Sequence, residues 1–134
     1  MKKVIVLAAA GVLLLGTIGF AGEKAPQKVY DLANKDLVKH ADADIIKKSV
    51  KTENAKGKTL DQIKEMDKKW MATAGIDDFM KGMMESECGK YIQKIQKSAP
   101  YYSEIFLTDN QGANVCMTDK TSDYWQGDEP KFTD

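Results

Sequence analysis

The stretch Tyr101-Tyr102-Ser103-Glu104-Ile105-Phe106-Leu107-Thr108-Asp109-Asn110-Gln111-Gly112-Ala113-Asn114-Val115-Cys116-Met117-Thr118 decides the fold class. It holds two short runs rich in β-branched and apolar residues, with Asp109-Asn110-Gln111-Gly112 between them. Such runs around an Asx/Gly turn predict a β-hairpin over 104–118, with Gly112 supplying the positive φ that the turn needs. After the hairpin comes a polar and aromatic loop, 119–132, which contains Asp123-Tyr124-Trp125-Gln126-Gly127-Asp128-Glu129. Before it, 26–98 is helix-forming, so the expected class is α+β, with N-terminal helices packed on an antiparallel sheet.

The helical part can be divided by its periodicity and its punctuation. Pro26 is placed to open a helix. Val29, Leu32, Ala33, Leu37, Ala41 and Ile45 come after it at helical spacing, and Ala41-Asp42-Ala43-Asp44 divides this run in two, the second part carrying Ile46 and Val50. The polar segment 51–58, ending Gly57-Lys58, reads as a connection. Thr59-Leu60-Asp61-Gln62 is a capping box opening a helix that presents Ile63, Met66 and Trp70 and should end near Gly75. Ile76, Phe79, Met80, Met83, Met84, Cys88, Tyr91, Ile92 and Ile95 keep three-and-four spacing and predict one long amphipathic helix. Ser98-Ala99-Pro100 stops it, because the residue before proline disfavours the helical region. His40 in its Lys/Asp-rich surroundings reads as a solvated residue, and no internal repeat is present.

Residues 1–21 read as a secretory signal peptide. Lys2 and Lys3 give the positive start, residues 4–15 the apolar core, and Gly19-Phe20-Ala21 a small-residue cleavage site. An uncleaved anchor is the competing reading, disfavoured by three glycines in the run. The expected location is therefore exported and periplasmic. Cleavage leaves residues 22–134, enough for one modest core, with a net charge of −2 once Lys2 and Lys3 are gone. All 20 basic residues are lysine, so any anion must be held by Lys, amides, hydroxyls or backbone N–H groups rather than by bidentate Arg. Near-neutral charge, no Arg and export together argue against a nucleic-acid partner. Cys88 and Cys116 either form one disulfide, worth about 3 kcal/mol, or remain two buried thiols.

Function candidates centre on the loop 119–132. Tyr124 and Trp125 followed by an amide, a glycine and two acids suit a small-molecule pocket, apolar-walled with a few polar tips. Asp128 or Asp123 would pair an amine, and Tyr124 or a lysine a carboxylate. Tyr102 at the entry to the sheet and Thr118 and Asp119 at the end of the second strand are further contacts, and Lys120 is the nearest cation. Against this stands a packing role, in which Tyr124 and Trp125 cap the core and Asp123 caps a turn. Met80, Met83, Met84 and Cys88 would offer soft ligands to Cu(I), but such spacing beside Phe79 is also ordinary core filling. The hairpin turn lacks the ligand pattern of a calcium loop. One His, no nucleophile–base pair and no two-residue Cys spacing leave no catalytic constellation, so no enzyme and no cofactor are expected.

The strand ending in Asp109, the Asn110-Gln111-Gly112 turn, the second strand and above all Asp123-Tyr124-Trp125-Gln126-Gly127-Asp128-Glu129 resemble Cache-type (PAS-like, PDC) extracytoplasmic sensor domains of the single-Cache form. The resemblance takes in the helices that precede the hairpin. It implies one sensor domain over 22–134 whose post-hairpin loop lines a cavity for a small organic acid, amino acid or amine, with a membrane signalling partner or a stand-alone binding role. Family members carry further strands after this point, so the resemblance also implies that the C-terminal strands are missing here. An open two-stranded sheet has exposed edges. The alternative expectation is thus an exported interaction protein that docks a partner chain, or a second copy as a homodimer, through that edge.

Overall fold

A computed structural model describes Val6–Ala9 and residues 25–133. The predicted cleavage site lies outside the described residues. In chain order the elements are β1 (Val6–Ala9), α1 (Gln27–Leu32), a π-helical turn (Ala33–Leu37), α2 (Val38–Ala41), α3 (Asp44–Ala55), α4 (Leu60–Ala72), α5 (Asp78–Glu85), α6 (Glu87–Gln96), β2 (Glu104–Thr108), β3 (Asn114–Met117) and α7 (Pro130–Thr133). The class is α+β, as expected.

The hairpin forms where the sequence places it. Gly112 adopts φ +87°, and Asp109 Oδ1 accepts the N–H groups of Gln111 and Ala113, closing the turn from inside. Phe106 pairs with Met117 and Leu107 with Cys116, while Thr108 pairs with Asn114, so Val115 bulges. The sheet has a third strand that the hairpin reading does not anticipate. Val6–Ala9, inside the predicted signal peptide, lies antiparallel on β2 with Val6 opposite Leu107 and Ala9 opposite Glu104.

Alternation along the strands divides the core into two layers. Ile105, Leu107 and Cys116 join Ile46, Val50, Cys88, Ile92, Ile95 and Tyr102 on one face, supplied by α3 and α6. Phe106, Ala113 and Met117 join Ile63, Trp70, Met80, Met83 and Tyr124 on the other, supplied by α4 and α5.

This two-sided core explains why the long helix expected over 76–95 is broken. Its spacing is helical throughout, but the chain turns at Ser86, whose backbone is extended (φ −59°, ψ 162°). Ser86 Oγ accepts the Gly89 N–H at 2.9 Å and donates to the Met83 carbonyl at 2.8 Å, satisfying both helix ends at once. The break sends Met80 and Met83 to one face of the sheet and Cys88, Ile92 and Ile95 to the other. Ile76 and Phe79, expected inside, are 57% and 45% exposed.

Two smaller expectations also change. The connection expected at 51–58 is mostly helix, because α3 runs on to Ala55. His40 is not simply solvated: its Nδ1 lies 3.0 Å from Tyr91 Oη, tying α2 to α6. The Thr59 capping box is present as read, with Thr59 and Gln62 bonding reciprocally. Cys88 and Cys116 are joined in a disulfide, which fastens α6 to β3. With the thiol consumed, the Met80/Met83/Met84/Cys88 face has no thiolate to offer copper and serves as core.

Candidate functional site

The loop 119–132 returns along the open side of β3. Asn114 N–H donates to Tyr124 O at 3.0 Å, Gln126 N–H to Gly112 O at 2.8 Å, and Ala113 bridges Trp125. This close approach needs two glycines face to face. A Cβ on Gly112 would stand 2.5 Å from the Gly127 backbone, and one on Gly127 would stand 2.5 Å from Gln111 O. The loop is held from the helical side by Asp67, whose Oδ1 accepts the N–H groups of both Tyr124 (2.8 Å) and Trp125 (3.0 Å).

The candidate residues read from the sequence are therefore used largely for packing. Tyr124 is wholly buried, its ring 5.7 Å from both Trp70 and Phe79. Trp125 is half-buried, donates Nε1–H to Gln111 O at 2.8 Å, and carries Lys64 over its outer face. Asp123 accepts from Ser122 and from Gln126. Asp128 is exposed. Thr118 Oγ1 accepts the Ile105 N–H at 3.0 Å, inside the hairpin. Tyr102 lies in the other core layer and donates its hydroxyl to Asp36 at 2.7 Å. The structure brings Tyr124, Trp125 and Asp123 together and leaves Tyr102 apart from them. Lys120 is not a free cation either: its ammonium donates to the carbonyls of Thr73 and Gly75 at 2.7 and 2.9 Å, closing the end of α4.

Behind Tyr124 is a charged cluster that the sequence does not reveal. Lys58 Nζ lies 2.5 Å from Glu53 Oε1, 2.9 Å from Tyr124 Oη and 3.8 Å from Asp109 Oδ2. Lys56 holds the second Glu53 oxygen at 2.7 Å. The Lys58 and Glu53 side chains are largely buried, and Asp109 almost wholly so. Burial pushes the Glu53 carboxyl up, but hydrogen bonds from Lys56 and Lys58 outweigh it and leave the group below its ordinary range. Burial also works against the Lys58 charge, yet Glu53 and Tyr124 hold its pKa above the ordinary value. Burial raises the Tyr124 phenol, with Lys58 opposing. These shifts keep Lys58 and Glu53 charged and Tyr124 neutral, which describes a structural lock better than a proton-transfer site.

Two surface cavities meet at Met66, on the outer side of this cluster. One, of about 240 Å³, is lined by Met66, Trp70 and Phe79 with Lys69 and Asp77 at its rim. The other is a wide groove of about 600 Å³ along Lys56, Lys58, Asp61, Gln62, Glu65 and Met66. A third, of about 270 Å³, lies between α3 and the α5–α6 junction and includes Glu53, Ser86 and Cys88. None of Tyr102, Thr118, Asp123, Tyr124, Trp125 and Asp128 lines any of these three, although Tyr124 packs against Trp70 and Phe79 of the first. The Trp70 indole is itself anchored, donating to Thr121 O at 2.9 Å. Helical spacing marks Trp70 as a core residue, and no local signal marks Phe79 as a wall or Lys58 as the hub.

In comparisons with protein-family models, curated proteins and solved structures, nothing matches this chain. Among the described residues no cluster of His, Cys, Asp and Glu is arranged to hold a metal ion, and no helix is long and apolar enough to cross a membrane.

Proposed function

We propose that this protein is an exported, non-enzymatic binding module that recognises a small amino acid, amine or organic acid, in the manner of the Cache-type domains it resembles. The observation that carries the reading is the cavity walled by Met66, Trp70 and Phe79, with one cation and one anion at its rim. Such a wall takes up an apolar body, and Lys69 and Asp77 would meet a carboxylate and an amine. At about 240 Å³ it suits a ligand of amino-acid size. Recognition is thereby moved from Tyr124, Trp125 and Asp128 themselves to the helices packed against them. The Cys88–Cys116 disulfide accords with an oxidising, exported location. Signal transmission would fall to a membrane partner.

A thermal melt against small carboxylates, amino acids and amines tests this. A ligand at a hundred times its dissociation constant adds about 2.7 kcal/mol, several degrees for a domain of this size. Phe79→Ala should abolish the response to every ligand. Asp77→Asn, which keeps the helix cap, should lose amines selectively, and Lys69→Met should lose carboxylates. A panel that moves the melt of neither parent nor variants refutes the pocket. A response insensitive to all three substitutions puts the site elsewhere.

A further inference from the structure

The outer edge of β2 accepts a strand, and in the structure that strand is Val6–Ala9. This segment lies within the predicted signal peptide, so exposure of the edge in the processed protein rests on the export reading. The opposite side of the sheet is partly closed by the returning loop, through the Ala113–Trp125 bridge and the Asn114–Tyr124 hydrogen bond. Loss of the leader therefore uncovers β2. Ile105 and Asp109 direct their backbone groups toward β3, since Thr118 N–H donates to Ile105 O and Asp109 N–H to Ala113 O. Alternation then turns the N–H and C=O groups of Glu104, Phe106 and Thr108 outward. Their side chains share one face, that of the Phe106 layer. Two of the three carry a buried oxygen with no hydrogen-bond partner among the described residues, Glu104 Oε1 and Thr108 Oγ1.

We propose that in the processed protein β2 pairs with β2 of a second copy, antiparallel about a two-fold axis through Phe106. In that register Phe106 faces its own counterpart, and Glu104 faces the second copy's Thr108 on the same side of the joined sheet. Every outward backbone group of the strand gains a partner, and the Thr108 hydroxyl donates to the facing Glu104 carboxylate. Two atoms that lack partners among the described residues are thus partners between two chains. A register slipped by two residues loses this match. A segment such as Val-Leu-Ala-Ala of β1 can satisfy the backbone but offers neither polar group.

The test uses the chain expressed with its own leader and recovered from the bacterial periplasm, its N terminus read by mass spectrometry. Sedimentation equilibrium from low micromolar to millimolar concentration should find a dimer. Thr108→Glu sets like charges face to face and should weaken association about tenfold or more. Adding Glu104→Lys to it should restore the dimer, because the swapped charges attract across the axis. If Thr108→Glu does not fold, Glu104→Lys alone should still weaken the dimer by removing the acceptor. A processed chain that stays monomeric overturns the proposal, and so does a dimer indifferent to these changes. A monomer with a protected Phe106 amide would mean that its own chain covers the edge. A retained leader would overturn the export reading together with this one, whereas ligand-induced stabilisation bears only on the cavity.

Discussion

Lys58 is the residue on which three segments depend. Its ammonium satisfies Glu53 at the end of α3 and Tyr124 in the returning loop, and its carbonyl accepts Gln111 Nε2 of the hairpin turn at 2.7 Å. Lys58→Met leaves the Tyr124 hydroxyl without its donor and removes the cation shared by Glu53 and Asp109, so unfolding in urea should show a loss of about 3 kcal/mol at neutral pH. The pH dependence has a definite sign. Glu53 is held below its ordinary pKa in the folded state, so its contribution is complete above the ordinary carboxylate range and fades as pH falls through the folded value. The advantage of the parent over Lys58→Met should therefore shrink on acidification below about pH 4.5. A difference that stays constant down to about pH 3 would separate Lys58 from the Glu53 carboxylate.

At the scale of elements, what is legible in the sequence is what local chemistry decides. The Thr59/Gln62 capping box, the Gly112 turn and the stop before Pro100 each depend on residues a few positions apart. The break at Ser86 does not. Periodicity alone cannot distinguish a helix that lines one face from two helices that serve opposite faces, because the choice is made by the sheet packed between them. A local mark is present in Ser86-Glu87-Cys88-Gly89, a capping serine three residues before a glycine. It becomes legible only with the knowledge that a Cβ at Gly89 would collide with the backbone carbonyls of Met83 and Met84. Gly89→Ala should therefore force α5 and α6 apart and cost about 2 kcal/mol or more, despite alanine's better helix propensity. Gly82→Ala, with open space around the position, is the control and should be neutral or stabilising. Both are read from urea unfolding. The candidate site obeys the same rule. Composition picks out the loop 119–132, but whether Tyr124 faces solvent or Trp70 is settled by α4, and the deciding contact, Asp67 to the Tyr124 amide, spans 57 positions.

For the whole molecule, the question is what makes helices on two faces of so small a sheet behave as one unit. The first core layer is fastened to the sheet by a covalent bond. Cys88 on α6 and Cys116 on β3 are 28 positions apart in sequence, with Cα atoms 5.9 Å apart. Closing a loop of that length restricts the unfolded chain by an amount worth about 3 kcal/mol. The second layer has no such bond and relies on Phe106, Met117, Trp70 and Tyr124 packing together. The Cys88→Ala/Cys116→Ala double variant should accordingly melt about 10 °C or more below the parent in non-reducing buffer. Adding reductant should bring the parent down to the same temperature and leave the variant unmoved. The two layers share β2 and β3, so the variant should still unfold in one transition when followed by Trp fluorescence and by far-UV circular dichroism. Separate transitions would mean that the shared strands do not by themselves couple the layers. A shift of only a degree or two would mean that noncovalent packing on the sheet suffices and that the disulfide is not a condition of the fold.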